Sequence, residues 1–198
     1  MEINKIDNQK LYREILSAAE IIFIRYGYTV TKMDTIAEKV GLSKNTLYTY
    51  CKNKEQLFYS ILENKITIYV NKLEKGLSGA ISLNDLVDRI VNHQLSFLSE
   101  NKDLFRLALS EQYKINQGAT SIFQNIYIDK QLIIYTLIEN SLMKLIPITA
   151  EYSAKTLALS IIGTTNSYMM HWLLTNQEQN LSDLKHDMVS IYFNGVNF

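Results

Sequence analysis

The sequence predicts an all-α protein of about nine helices, a three-helix N-terminal head followed by a larger helical body. Three observations point there. The 198 residues include one proline and seven glycines, too few chain breakers for a turn-rich β protein. Apolar residues recur at steps of three and four along most of the chain, which is the period of one helical face. Apolar residues make up 47% and charged residues 20%, enough for a sizeable core and too little charge for disorder.

The first helix is predicted over Gln9–Tyr26, because Leu11, Ile15, Ala18, Ala19, Ile22, Phe23 and Tyr26 share a face. Gly27 follows, where a left-handed residue can close a helix. Thr31 is expected to open and cap a second helix, with Asp34 adding negative charge to its first turn. Met33, Ile36, Ala37 and Val40 form its buried stripe, and Gly41 ends it. Leu42 fills the turn and Ser43 caps a short third helix, Lys44–Tyr50. Asn53 and Gln56 have capping-box spacing at the start of a fourth helix, which is expected to reach Lys75. Its apolar positions are Leu57, Phe58, Ile61, Leu62, Ile66, Tyr69 and Leu73, and Gly76 and Gly79 break the pattern. Five further helices are expected over Ser82–Glu100, Lys102–Lys114, Ala119–Leu145, Thr149–Asn176 and Ser182–Gly195. Residues 1–53 then form the head and 54–198 the body, joined through the fourth helix.

Net charge is zero, yet residues 1–65 hold ten Lys/Arg against eight Asp/Glu, and residues 66–198 hold ten against twelve. The slight asymmetry has the sign of a basic reading head on an acidic body. Cys51 is the single cysteine, so no intramolecular disulfide can form and a reducing cytoplasm is the expected setting. No apolar run reaches the ~18–20 residues of a membrane span, and no signal peptide is apparent.

Two short helices joined by the Gly41-Leu42-Ser43 turn give the crossed pair of a helix-turn-helix, whose second helix enters the DNA major groove. Leu47 must face the core, which leaves Lys44, Asn45, Tyr48 and Thr49 outward. Those types suit DNA: lysine meets phosphate or guanine, asparagine can bond adenine bidentately, and hydroxyls reach phosphates. Lys54 begins the fourth helix, where the dipole disfavours a cation, and a nearby phosphate would account for it.

From Ile15 to Leu62 the sequence resembles the tetracycline-repressor (TetR) family. The matching features are Ala18-Ala19, Phe23, Gly27-Tyr28, Thr31, Ile36-Ala37, Gly41-Leu42-Ser43, Leu47-Tyr48-Thr49-Tyr50 and Lys54-Glu55-Gln56-Leu57. Two positions depart: Cys51 stands where the family usually has phenylalanine, and Asn45 where it usually has glycine. The resemblance implies backbone contacts from Lys44, Thr46, Tyr48, Tyr50 and Lys54, with Thr31 also at the interface and Asn45 and Thr49 reading bases. It also implies a homodimeric repressor on a near-palindromic operator, released when a small molecule in the body shifts the fourth helix.

By the same analogy the last two helices pair with their symmetry mates. Ser160, Gly163, Thr164 and Ser167 would let them approach, while Ile161, Ile162, Met169, Leu173, Met188, Ile191 and Phe193 supply bulk. A hydrophobic or amphipathic ligand would meet Phe97, Phe105, Phe123, Tyr113, Tyr127 and Met170, with Glu111 and Asn166 adding polar specificity. No cofactor is expected. Asp183 and His186 alone mimic a bundle metal motif, which needs two such helices and two further glutamates. An activator of the same fold is the nearest alternative, and a helical-bundle metal enzyme a distant one.

Overall fold

The computed structural model describes the backbone of residues 2–111, 119–146, 152–175 and 181–194, and the side chains of 7–110, 130–146, 152–175 and 183–194. Nine helices occur among the described residues: α1 Glu2–Tyr26, α2 Met33–Lys39, α3 Lys44–Tyr50, α4 Lys54–Leu77, α5 Leu83–Glu100, α6 Lys102–Glu111, α7 Ala119–Met143, α8 Ala154–Thr175 and α9 Leu181–Asn194. No described helix is long and apolar enough to cross a membrane. The chain forms two compact units, one of Met1–Ile66 with Arg106–Ile126 and the other of Thr67–Phe105 with Tyr127–Phe198.

In the first unit α1 packs on α2, and α2 on α3. The core takes Ile15, Ala19, Ile22 and Phe23 from α1, Ile36 and Ala37 from α2, Leu47 from α3, and Leu57, Phe58, Ile61 and Leu62 from α4. Phe58 stands edge-on to Phe23 at 5.5 Å, and Tyr28 lies 5.3 Å from Phe58 and 5.6 Å from Phe23. A Lys65–Glu20 ion pair of 2.8 Å ties α4 to α1. Gly27 and Gly41 have φ of 85° and 70°, left-handed values that admit glycine without steric cost.

Several boundaries differ from the sequence expectation. Helix α1 begins seven residues earlier, at Glu2 rather than Gln9, over a polar stretch on which apolar periodicity is silent. Tyr26 is exposed, not a member of the buried face. Thr31 does not cap α2, which starts at Met33 after Lys32; the Thr31 hydroxyl instead donates back to the Gly27 carbonyl at 2.7 Å. Helix α8 starts at Ala154 rather than Thr149, because Ser153 caps it by accepting from the Thr156 N–H at 3.1 Å.

In the second unit α5 is central and packs on α8 and α9. It buries Leu86, Val87, Ile90, Val91, Leu95 and Leu98. Around it lie Tyr69, Leu73 and Leu77 of α4, Ile134, Ile138 and Leu142 of α7, Ala158, Ile161 and Ile162 of α8, and Leu184 and Met188 of α9. Ser82 caps α5 by accepting from the Asp85 N–H. The Asp85 carboxylate accepts from the Ile81 N–H and from Arg89 Nε at 2.8 Å, and its pKa lies below the ordinary range chiefly because of the Arg89 bond. Arg89 also donates to the Gly76 carbonyl, and Lys185 pairs with Asp88 at 2.9 Å.

Candidate nucleic-acid interface

Helix α3 is fixed at both ends by its own sequence. Ser43 accepts from the Thr46 N–H at 3.1 Å, and Leu47, wholly buried, pins the helix to the core. At the other end the Cys51 N–H returns to the Leu47 carbonyl. With Leu47 inward, Lys44, Asn45, Tyr48 and Thr49 are exposed together on one short helix. The pattern of an inward leucine with outward lysine, asparagine, tyrosine and threonine is the one expected from the sequence.

The exposed polar groups are not equally available. Lys44 Nζ lies 2.8 Å from the Asp34 carboxylate, a link from α3 to α2 that raises the Lys44 pKa through that hydrogen bond and charge. The Thr49 hydroxyl donates to the Thr46 carbonyl at 2.7 Å, and the Thr46 hydroxyl shares a hydrogen bond with Ser43. Tyr50 donates its hydroxyl to Asn8 Oδ1 at 2.7 Å and stacks on Tyr12 at 6.3 Å, which ties α3 to α1. Asn45 is exposed at the second position of the helix.

Lys54 corrects the sequence argument made for it. Its ammonium donates to the carbonyls of Tyr28 at 2.7 Å, Thr29 at 3.0 Å and Thr31 at 3.0 Å, and sits 4.5 Å from the centre of the Tyr28 ring. A lysine carries three donors, so this set matches its capacity. The partner that makes a cation tolerable at the start of α4 is therefore the α1–α2 connection, and no phosphate is needed to explain it. Thr31 belongs to the same connection: it is buried, with its hydroxyl on Gly27, and not an outward group. The capping box at Asn53 forms one residue out of register: Asn53 accepts from the Gln56 N–H, but Gln56 reaches back to the N–H of Lys52.

In the second unit Phe97 and Phe105 meet at 5.4 Å, edge to face, and Tyr69 stacks on Phe97 at 4.5 Å. Tyr69 did not stand out as a polar site in the sequence because it occupies an apolar position of α4. Asn166 is half-buried on α8. Met170, expected against a ligand, is exposed. The side chains of Glu111, Tyr113, Phe123 and Tyr127 lie outside the described residues. An open pocket of about 440 Å³ lies at the ends of α4 and α7, with Glu74, Ser78, Asn140, Ser141 and Lys144 among its walls, and none of these was expected. Ile161, Ile162 and Met188, expected at a seam between copies, are buried within the chain's own core. The exposed apolar residues of α8 and α9 are instead Leu159, Met170, Leu174 and Ile191, and Gly163, between Leu159 and Met170, has open space beside it.

Residues 15–61 match the model of the tetR family of bacterial regulatory proteins. The chain carries that family's N-terminal domain. Across nearly its whole length it is similar to the fatty acid metabolism regulator protein of Bacillus subtilis, at 21% identity over 187 residues, covering 93% of this chain and 95% of the relative. Among solved structures, the transcriptional regulator FadR from Bacillus subtilis in complex with stearoyl-CoA superposes with a TM-score of 0.73 at 18% identity, covering 94% and 100% of the two chains. NalD of Pseudomonas aeruginosa, the secondary repressor of the MexAB-OprM multidrug efflux pump, does so with 0.70 at 18% identity and 96% of each.

The matched domain and the full-length likeness to a regulator make the chain a DNA-binding transcriptional regulator and not an enzyme. Its cysteine, at a position where the family resemblance leads one to expect phenylalanine, is buried at the C-cap of α3 with Sγ 3.6 Å from the Leu47 carbonyl; burial pushes its thiol pKa up. The residues missed by inspecting the tetR-like segment are Asn8 and Tyr12, and the pairing of Asp34 with Lys44 was not foreseen. Each sets the recognition helix through a contact remote in sequence or on the preceding helix.

Proposed function

We propose that the protein is a homodimeric repressor whose head, residues 1–53, reads an inverted-repeat operator and whose body, residues 54–198, releases it on binding a long-chain acyl compound. The observation that carries the effector class is the likeness over nearly the full length to a fatty acid metabolism regulator, including the body and not only the family's common head. The structural likeness to a regulator in complex with stearoyl-CoA agrees with it.

On the DNA side, Asn45 and Thr49 read bases, and Lys44 and Tyr48 contact phosphate. Lys44 must exchange its Asp34 partner for the DNA, a small cost since exposed ion pairs contribute little. Thr46, Tyr50 and Lys54 hold the helix and its flanks in place, and the cell compartment is the cytoplasm. Two copies associate through α8 and α9. Leu159, Met170 and Leu174 leave exposed apolar area on α8 around Gly163, where a second helix can approach closely. Helix α4 is 24 residues of unbroken helix and begins at Lys54.

The test is selection of bound duplexes from a random pool, with stearoyl-CoA added at the elution step. The expected result is an inverted repeat released by stearoyl-CoA and not by coenzyme A. An inverted repeat that stearoyl-CoA leaves bound would refute the effector class. Enrichment of a single half-site would refute the dimeric mode of reading.

A further inference from the structure

Two polar atoms of the second unit are buried without a hydrogen-bond partner, the Tyr69 hydroxyl and the Gln94 side-chain carbonyl; each residue is 5% exposed. Buried polar groups in folded proteins are almost always paired, so two orphans in one neighbourhood call for an account. Phe97 is the residue that relates them. Tyr69 stacks flat on Phe97 at 4.5 Å, and Gln94 precedes Phe97 by one turn of α5, which places the two on one helix face. Phe105 stands edge-on to Phe97 at 5.4 Å. The result is an aromatic wall with two unmet polar atoms beside it.

What would satisfy them follows from their chemistry. Tyr69 is neutral, its pKa pushed well above the ordinary range by burial, and its hydroxyl donates. The Gln94 carbonyl only accepts. A partner must therefore accept from one and donate to the other. A carboxylate has no proton to give and would lose its hydration against a carbonyl oxygen. An amide or an alcohol satisfies both, and the aromatic wall takes the hydrocarbon attached to it.

We propose that Tyr69 and Gln94 are the specificity-determining pair of the effector site, gripping a neutral group that both donates and accepts on an otherwise apolar ligand. This rests on the proposal that the body binds an amphipathic effector. It adds that the effector is recognised by an uncharged polar group: a coenzyme A thioester carries amides, whereas a free fatty acid offers only its carboxylate.

The experiment is calorimetric titration of the full-length protein with dodecanamide, dodecanol and dodecanoate, in parallel with thermal melts. The amide and alcohol should bind about ten-fold more tightly than the carboxylate, the scale of one hydrogen bond gained and one polar group left unpaired. Tyr69→Phe and Gln94→Met should each erase that preference. They should also raise the Tm of the ligand-free protein, because an unpaired buried group has been removed. A residue that merely packs would not move affinity and stability in opposite directions. Equal affinity for all three probes, no binding of any of them, or variants that keep the preference would each overturn the proposal. Stearoyl-CoA separates the two ideas. If it releases DNA while the preference is absent, only the pair's role falls; if the preference is present and stearoyl-CoA does nothing, only the acyl-CoA effector falls.

Discussion

The two units differ in two buried polar atoms. In the first, the hydroxyls of Thr31, Ser43, Thr46, Thr49 and Tyr50 and the ammonium groups of Lys44, Lys54 and Lys65 all have partners inside the unit. In the second, Tyr69 and Gln94 carry buried atoms with none. A reading head must present a fixed surface, and satisfied hydrogen bonds fix it. On the function proposed above, the sensing body must retain unmet bonding capacity, because an effector contributes only where something is still to be gained. On that reading, rigidity and receptivity are distributed between the units in their hydrogen bonds.

The contrast can be broken most severely in the head. Phe58→Ala removes the ring shared by Phe23 and Tyr28 and should cost about 3–5 kcal/mol. Hydrogen exchange should then accelerate across α1–α3 while the α5 amides change little; equal acceleration in α5 would mean that the units do not melt separately. Next comes Lys54→Met. Losing a charged donor from three carbonyls should cost about 2 kcal/mol, the scale of charge-assisted hydrogen bonds. If Lys54 acts as a tie, the salt dependence of operator binding keeps its slope; a phosphate contact predicts a drop of about 0.9 per lost site.

Smaller effects test the symmetry of the helix caps. Ser43→Ala and Ser82→Ala each remove a side-chain acceptor from a helix N-terminus and should each cost about 1 kcal/mol in thermal melts. Only the first should also weaken DNA binding, since α3 carries the residues proposed to read bases. The smallest effect is one of pH. Burial, then Lys72 and Arg89, lower the His93 pKa below its ordinary 6.5, so the unfolded chain takes up the proton first. Stability should be unaffected above that value and decline as the pH falls through the folded pKa. His93→Gln should flatten this part of the profile, and a slope unchanged by the substitution would assign it to other groups.

Much of this organisation was legible in the sequence, and the failures share a cause. Helix α3 matched its expected span because Ser43 and Leu47 fix it locally. The early start of α1 escaped notice because its polar turns are held by Tyr50 and Asn8, 42 positions apart. Thr31 was misassigned as a cap, an inference from nearest neighbours, because its hydroxyl turns back to the Gly27 carbonyl. In α8, apolar residues occur all around the helix, so periodicity could not tell that Ile161 and Ile162 face inward and Leu159 and Leu174 outward. Tyr69 was counted as hydrophobic because its position is, and only its burial reveals the hydroxyl as a polar atom in need of a partner.

Cys51 gives the molecule a built-in stopwatch. Its thiol is the only one in the chain, is 2% exposed, and sits where α3 hands over to α4. A maleimide can reach it only while the head is open, so under excess reagent the labelling rate counts openings of that unit one at a time. Operator DNA should slow the clock and an effector that frees the head should let it run. Transmission from body to head could thus be timed with no substitution made.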